Sequence, residues 1–136
     1  MEVRYGDLDP QGHLNNAKYL TYFEQARVQY LTELGLFTKD QSFMDMGVIV
    51  ADIHITFEAP VLWGISIIVG VRTVKIGNKS ITLEQCLTDR ETNNLYASGS
   101  VILVAYDYRH HQTIPVPEVW REKVTQFEGH SLSEKQ

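Results

Sequence analysis

Residues 4–27, RYGDLDPQGHLNNAKYLTYFEQAR, concentrate the groups in this chain that can do chemistry. Asp9 is the second carboxylate of an Asp-x-Asp turn, followed by Pro10, Gly12, His13 and the adjacent amides Asn15 and Asn16. A strongly apolar helix begins directly afterwards. A helix start presents backbone N–H groups and the positive end of the helix dipole, which together polarise a carbonyl oxygen. A carboxylate a few residues upstream can act as base or nucleophile. Asp7 is better suited to forming the turn, because an Asp side chain readily bonds nearby backbone N–H groups.

These residues need elements to hold them. Val3–Gly6 reads as a short extended segment. Asn15 or Asn16 is a good N-cap, worth about 1 kcal/mol, for a helix over 17–34. There Tyr19, Leu20, Phe23, Ala26, Tyr30, Leu31 and Leu34 recur at spacings of three and four. Tyr22 and Val28 widen that stripe, so the helix should be enclosed on several sides, and Gly35 ends it. Residues 36–46 form a connection that could cover a pocket, with Phe37, Phe43 and Met44 as candidate lining together with Phe23. Val48–Glu58, Ile65–Lys75, Ser80–Asp89 and Leu95–Tyr106 read as strands, the third alternating as Ile81, Leu83, Gln85, Leu87. Turns are expected at Gly77–Asn78 and 91–94, and a short helix over Val119–Phe127. The order is strand, long helix, four-strand meander: a single α+β domain over 1–136 with about five antiparallel strands on one helix. Such a sheet leaves an open edge and a partly bare face, which predicts dimerisation.

Composition narrows the function classes. A formal charge of −5 over 136 residues argues against non-specific nucleic-acid binding, which needs a basic surface. Cys86 is the only cysteine, so no intrachain disulfide forms, which fits a reducing compartment; it reads as a small buried strand residue. No apolar run approaches the roughly 20 residues of a membrane-spanning helix, and no charged-then-apolar leader opens the chain. The expected location is cytoplasmic. The Gly-x-Ser-x-Gly elbow is absent, as are His-Glu-x-x-His and paired Cys-x-x-Cys spacings. No metal or cofactor is expected.

Arg4-Tyr5-Gly6-Asp7-Leu8-Asp9, Gly12-His13-Leu14-Asn15-Asn16, Tyr19 and Tyr22-Phe23-Glu24-Gln25-Ala26-Arg27 resemble the opening of the 4-hydroxybenzoyl-CoA thioesterase-like branch of the hot-dog fold superfamily. Ala59-Pro60-Val61, Trp63-Gly64, Ile76-Gly77-Asn78-Lys79-Ser80 and the strand Ser98–Ala105 extend the resemblance over residues 3 to about 120. The resemblance implies a curved sheet wrapped round a central helix, dimers and often tetramers, and active sites at the dimer interface. It also implies cofactor-free hydrolysis of an acyl-CoA thioester. It assigns the catalytic carboxylate to Asp9 and the oxyanion site to backbone N–H groups near Asn16 to Tyr19. Gly77, Asn78, Lys79 and Ser80 fall where relatives approach the CoA arm. Two departures stand out. The branch associated with Tol–Pal operons has histidine at the position of Asn16, and many relatives have Asp where Ile65 follows Gly64.

Each candidate also has a structural role. Asn16 caps the helix or holds the attacking water or the thioester. His13 titrates near neutrality or simply bonds a backbone carbonyl. Glu24 sits on a face read as mostly apolar, where a carboxylate must be paired or have a raised pKa. Arg27 at i+3 is its partner, and a structural ion pair at a subunit interface is favoured over direct catalysis. His110 and His111, with Arg109, read as exposed; Lys79 is a solvated turn lysine or a partner for CoA phosphates. The resulting expectation is an acyl-CoA thioesterase acting on a fatty or aromatic acyl group. The alternatives are a thioesterase for acyl carrier protein and a non-catalytic acyl-CoA binding module.

Overall fold

The computed structural model describes residues 3, 6, 8–9, 14–36 and 47–129. Helix α1 (Asn16–Glu33) begins where the capping residues predict, with Asn15 Oδ1 accepting from the Ala17 N–H at 2.9 Å. It ends before Gly35, which takes φ +76°. Strands β1 (Gly47–Phe57), β2 (Ile67–Ile76), β3 (Ser80–Asp89) and β4 (Leu95–Asp107) follow, then the two-residue β5 (Gln112–Thr113) and helix α2 (Glu118–Glu128).

The sheet order is β1-β4-β3-β2, all antiparallel, with β5 on β4. This corrects the expected four-strand meander: β2, β3 and β4 run as hairpins, but β1 lies beside β4. The cause is the connection at residues 58–66. It contains Pro60 and a left-handed Gly64 and is too long for a tight hairpin, so the chain leaves β1 and enters the sheet at its other edge. The fifth strand of the described sheet is β5, and the opening segment expected to be extended falls partly outside the described residues. The opening segment contributes Val3, whose N–H bonds Ile65 O at 3.1 Å, while Arg4 and Tyr5 lie outside the described residues. Phe37, Phe43 and Met44 lie outside them too.

Inward residues of the sheet pack on α1 in two apolar clusters. Tyr30, Leu31, Leu83, Val101 and Leu103 form one, with Trp120 and Val124 of α2; Tyr19, Tyr22, Phe23, Ile67, Leu87 and Ala97 form the other. Between them, on both helix and sheet, sits a buried polar pair. Arg27 Nη1 donates to Gln85 Oε1 at 3.1 Å, and Gln85 Nε2 donates to Phe23 O at 2.8 Å. Burial pulls the Arg27 guanidinium below its usual pKa, and the charge of Glu24 opposes this.

Glu24 itself is exposed, as are Leu20 and Val28. The expectation of an enclosed helix with Glu24 on an apolar face is thus corrected. The helix is turned so that the 19/22/23/27/30/31 stripe meets the sheet, and Leu20, Glu24 and Val28 fall on the opposite side.

Close packing is severe at Gly99 in β4. A Cβ there would lie 2.6 Å from His54 O and 3.3 Å from the Phe23 ring. Gly99→Ala is expected to cost about 1–3 kcal/mol by prising β1 from β4, read as a lower urea midpoint with an unchanged slope.

Two turns are fixed by carboxylates. Asp89 accepts from the Glu91 N–H at 2.8 Å, the Thr92 N–H at 3.2 Å and the Tyr96 hydroxyl at 3.1 Å. Asp107 contacts His110 Nδ1 at 2.6 Å and accepts from the Arg109 and His110 N–H groups. For Asp89 the bond from the Glu91 N–H is the main cause of a pKa below the ordinary 3.8, and for Asp107 it is the His110 side chain. Carboxylates with depressed native pKa values stabilise the fold above about pH 3.8 and lose that contribution as pH falls through the lowered values. The Asp89→Asn/Asp107→Asn variant is therefore expected to show a shallower loss of Tm below pH 4 than the wild type in a calorimetric pH series.

Candidate active site

The stretch around Asp9 is pinned from both sides. Leu8 and Leu14 form an antiparallel bridge pair, and the Leu14 N–H bonds Val61 O at 2.7 Å. Leu14, just before the start of α1, is thereby held against the connection that leaves β1. Asp9, Leu14, Asn16 and Tyr19 line one side of a pocket of about 350 Å³, and residues 57–60 line the other. Three of the sequence candidates, Asp9, Asn16 and Tyr19, thus share one concavity. His13 lies outside the described residues.

Electrostatics ties the same residues together. The Tyr19 phenol is pushed up chiefly by burial, with a backbone hydrogen bond at Val61 opposing and the charge of Asp9 adding to the rise. Tyr19 therefore keeps its proton at neutral pH. Its ring meets Phe57 edge-on, with centroids 4.9 Å apart, which closes the apolar side of the pocket.

The helix start is more committed than expected. The Ala17 N–H is held by the Asn15 side chain, and the Lys18 N–H bonds Asn15 O at 2.8 Å. Asn16, with a backbone N–H and a side-chain amide, lines the pocket, as does Tyr19.

Other candidates lie elsewhere. Glu24 borders a shallow groove on the exposed side of α1 with Val28 and Glu33. Gly77–Ser80 joins β2 to β3 at the end of the sheet opposite the Asp9 pocket. Leu87, paired with Ala97 at the Phe57 end, is seven residues along β3 from Ser80, or roughly 23 Å. The hairpin also braces the C-terminal segment: Arg121 donates to Gly77 O and Asn78 O, the Val116 N–H bonds Asn78 O, and Lys79 Nζ donates to Thr113 Oγ1 at 3.2 Å. His110 and His111 are exposed in the turn held by Asp107. Cys86 is half-buried rather than buried, because it points away from α1. It lines a larger groove, about 610 Å³, on the outer sheet face with Gly70, Ser98 and the Arg72–Glu84 ion pair. Asp9, Asn16 and Tyr19 line the smaller pocket, not this groove. Among the described residues no cluster of His, Cys, Asp or Glu is arranged to hold a metal ion, and no helix is long and apolar enough to cross a membrane.

Sequence reasoning missed Glu58 and Phe57 as pocket residues and Gln85 as the partner of Arg27. Gln85 had a signal, a lone amide at an inward position of an apolar alternation. Glu58 had none, because its orientation depends on how β1 ends.

The comparisons agree with this architecture. The model of the thioesterase-like superfamily matches residues 3–124. A thioesterase of Thermus thermophilus, complexed with coenzyme A and Zn, superposes with a TM-score of 0.81 at 33% identity, covering 96% of this chain and 92% of that one. The long-chain acyl-CoA thioesterase FadM of Escherichia coli is 25% identical over 93% of this chain and 96% of its own. A thioesterase superfamily structure from a Jannaschia species shares the fold with a TM-score of 0.86 at 23% identity, covering 98% of this chain and 83% of that one.

Proposed function

The chain belongs to the thioesterase-like superfamily and is a thioester hydrolase of the hot-dog fold, and on that premise we propose that it cleaves acyl-CoA with Asp9 as its catalytic carboxylate. The observation that carries the assignment is the shared pocket of Asp9, Asn16 and Tyr19 at the start of α1. Asp9 either takes a proton from the attacking water or attacks the carbonyl itself; both routes release CoA and the free acid. Asn16 and the helix dipole face the oxygen on which charge develops. The neutral Tyr19 hydroxyl is a further group that can position the thioester.

The working unit we propose is a dimer formed along β1. This strand is an edge, eleven residues long, and Val50, Ile53 and Phe57 on it are exposed apolar side chains. A long apolar edge is a template for another strand. The other edge is partly covered: Glu128 of α2 accepts from the Thr73 N–H of β2 at 3.0 Å and bonds the Tyr30 hydroxyl. Antiparallel pairing of two β1 strands about a two-fold axis reverses the second sheet. The hairpin end of one protomer, Gly77–Ser80, then lies on the side of the other protomer's Asp9. That arrangement supports a role for the hairpin in binding the CoA arm, and tetramers can follow by stacking of such dimers.

Thiol release by the wild-type protein from acyl-CoAs of short, long and aromatic chain tests the assignment. Long-chain acyl groups belong in the panel because of the FadM relative. Turnover of at least one member supports the assignment; ligand-induced stabilisation without turnover of any would favour a binding module.

A further inference from the structure

The turn between β2 and β3 is held from outside more firmly than a hairpin requires. The Gly77 N–H donates to Ser80 O at 2.8 Å, which already closes the turn, and Ile76 pairs with Ile81 beside it. Three consecutive carbonyls, those of Gly77, Asn78 and Lys79, are nevertheless engaged by other parts of the chain. Arg121 Nη2 donates to Gly77 O and, at 3.0 Å, to Asn78 O. The Val116 N–H reaches the same Asn78 O at 2.8 Å, and the Ala105 N–H reaches Lys79 O at 2.9 Å. Arg121 is itself fixed in place, because it lies in α2 between the buried Trp120 and Val124.

A peptide unit is planar and trans, so its N–H points opposite to its C=O. Holding Gly77 O and Asn78 O towards α2 therefore turns the Asn78 and Lys79 N–H groups to the other side. A guanidinium suits this task, since one Nη carries two N–H donors in a rigid plane, one for each carbonyl. We propose that Arg121 is a positioning residue for the coenzyme: from α2 it presets the backbone of the Gly77–Ser80 turn, so that the outward N–H groups meet the phosphate-bearing arm of the acyl-CoA. The proposal rests on the thioesterase reading above and on the hairpin's part in it. Arg121 touches no reacting atom. It removes the ordering cost that a looser turn would meet on binding.

The test compares each acyl-CoA that the wild type turns over with the N-acetylcysteamine thioester of the same acyl group. That ester keeps the reacting bond and lacks the phosphates. Wild type is expected to show the lower KM for the CoA ester. Arg121→Met keeps much of the stem and removes the donors. It should raise KM for the acyl-CoA about tenfold at unchanged kcat, with kcat/KM for the short thioester at the wild-type value. Arg121→Lys keeps the charge without the planar donor pair and should fall between; it carries the test if the methionine variant does not fold. Folded variants that keep the wild-type KM for the acyl-CoA, or that lose equally on both esters, overturn the role of Arg121 alone. Equal KM values for the two esters in the wild type overturn the hairpin's role together with that of Arg121. Absence of turnover of every thioester by the wild type overturns the thioesterase reading and the proposal with it.

Discussion

Gln85→Leu is expected to destabilise the protein by about 3–5 kcal/mol, a large part of the roughly 5–15 kcal/mol that holds a domain together. The substitution removes the acceptor of the guanidinium of Arg27, a residue 7% exposed between two apolar clusters. Desolvation already disfavours the charge on Arg27. Without Gln85 Oε1 the guanidinium keeps the charge of Glu24 but loses its hydrogen-bond acceptor, or drags water into the core. The cost lies in the broken pair and not in the loss of a favourable polar bond, so the double variant Arg27→Leu/Gln85→Leu should recover most of the loss. Urea unfolding of wild type, single and double variants measures both effects. A single variant within about 1 kcal/mol of wild type would show that Arg27 finds another acceptor.

The same pair shows how far the sequence could be read. The bounds of β3 and of α1 were legible because alternation and three-four spacing are strictly local signals. The Gln85–Arg27 contact was half legible. Gln85 stood at an inward position of an apolar alternation, but Arg27 was read as the partner of Glu24, and pairing it with Gln85 required the register between helix and sheet, which no local pattern records. Glu24 was misread for the same reason: Leu20 stood in the apparent stripe and Val28 widened it, and only packing decides which flank turns to solvent. The crossover from β1 to β2 was hidden because a nine-residue connection does not announce where the next strand enters the sheet. At the site, turn chemistry and the helix cap pointed to Asp9 and Asn16, which the fold brings together with Tyr19. The Gly77–Ser80 hairpin lies at the sheet's far end, since its distance from Asp9 is a property of topology and, in our reading, of a second copy.

Asp9→Asn is expected to lower kcat on the preferred acyl-CoA by about a hundredfold to ten-thousandfold, the range that a positioned acid–base group or nucleophile contributes. Asparagine keeps the size of the side chain and its capacity to accept a hydrogen bond. It loses the negative charge that draws a proton from water or attacks the carbonyl. KM should change little, because neither the CoA arm nor the acyl chain depends on that charge for binding. An unchanged Tm would assign the loss to chemistry and not to folding.

The decisive measurement is thiol release from that acyl-CoA by wild type and Asp9→Asn side by side. Rapid turnover by the wild type that collapses in the variant at equal Tm is the predicted result. Equal rates for the two proteins would contradict the account and move the catalytic carboxylate away from the start of α1.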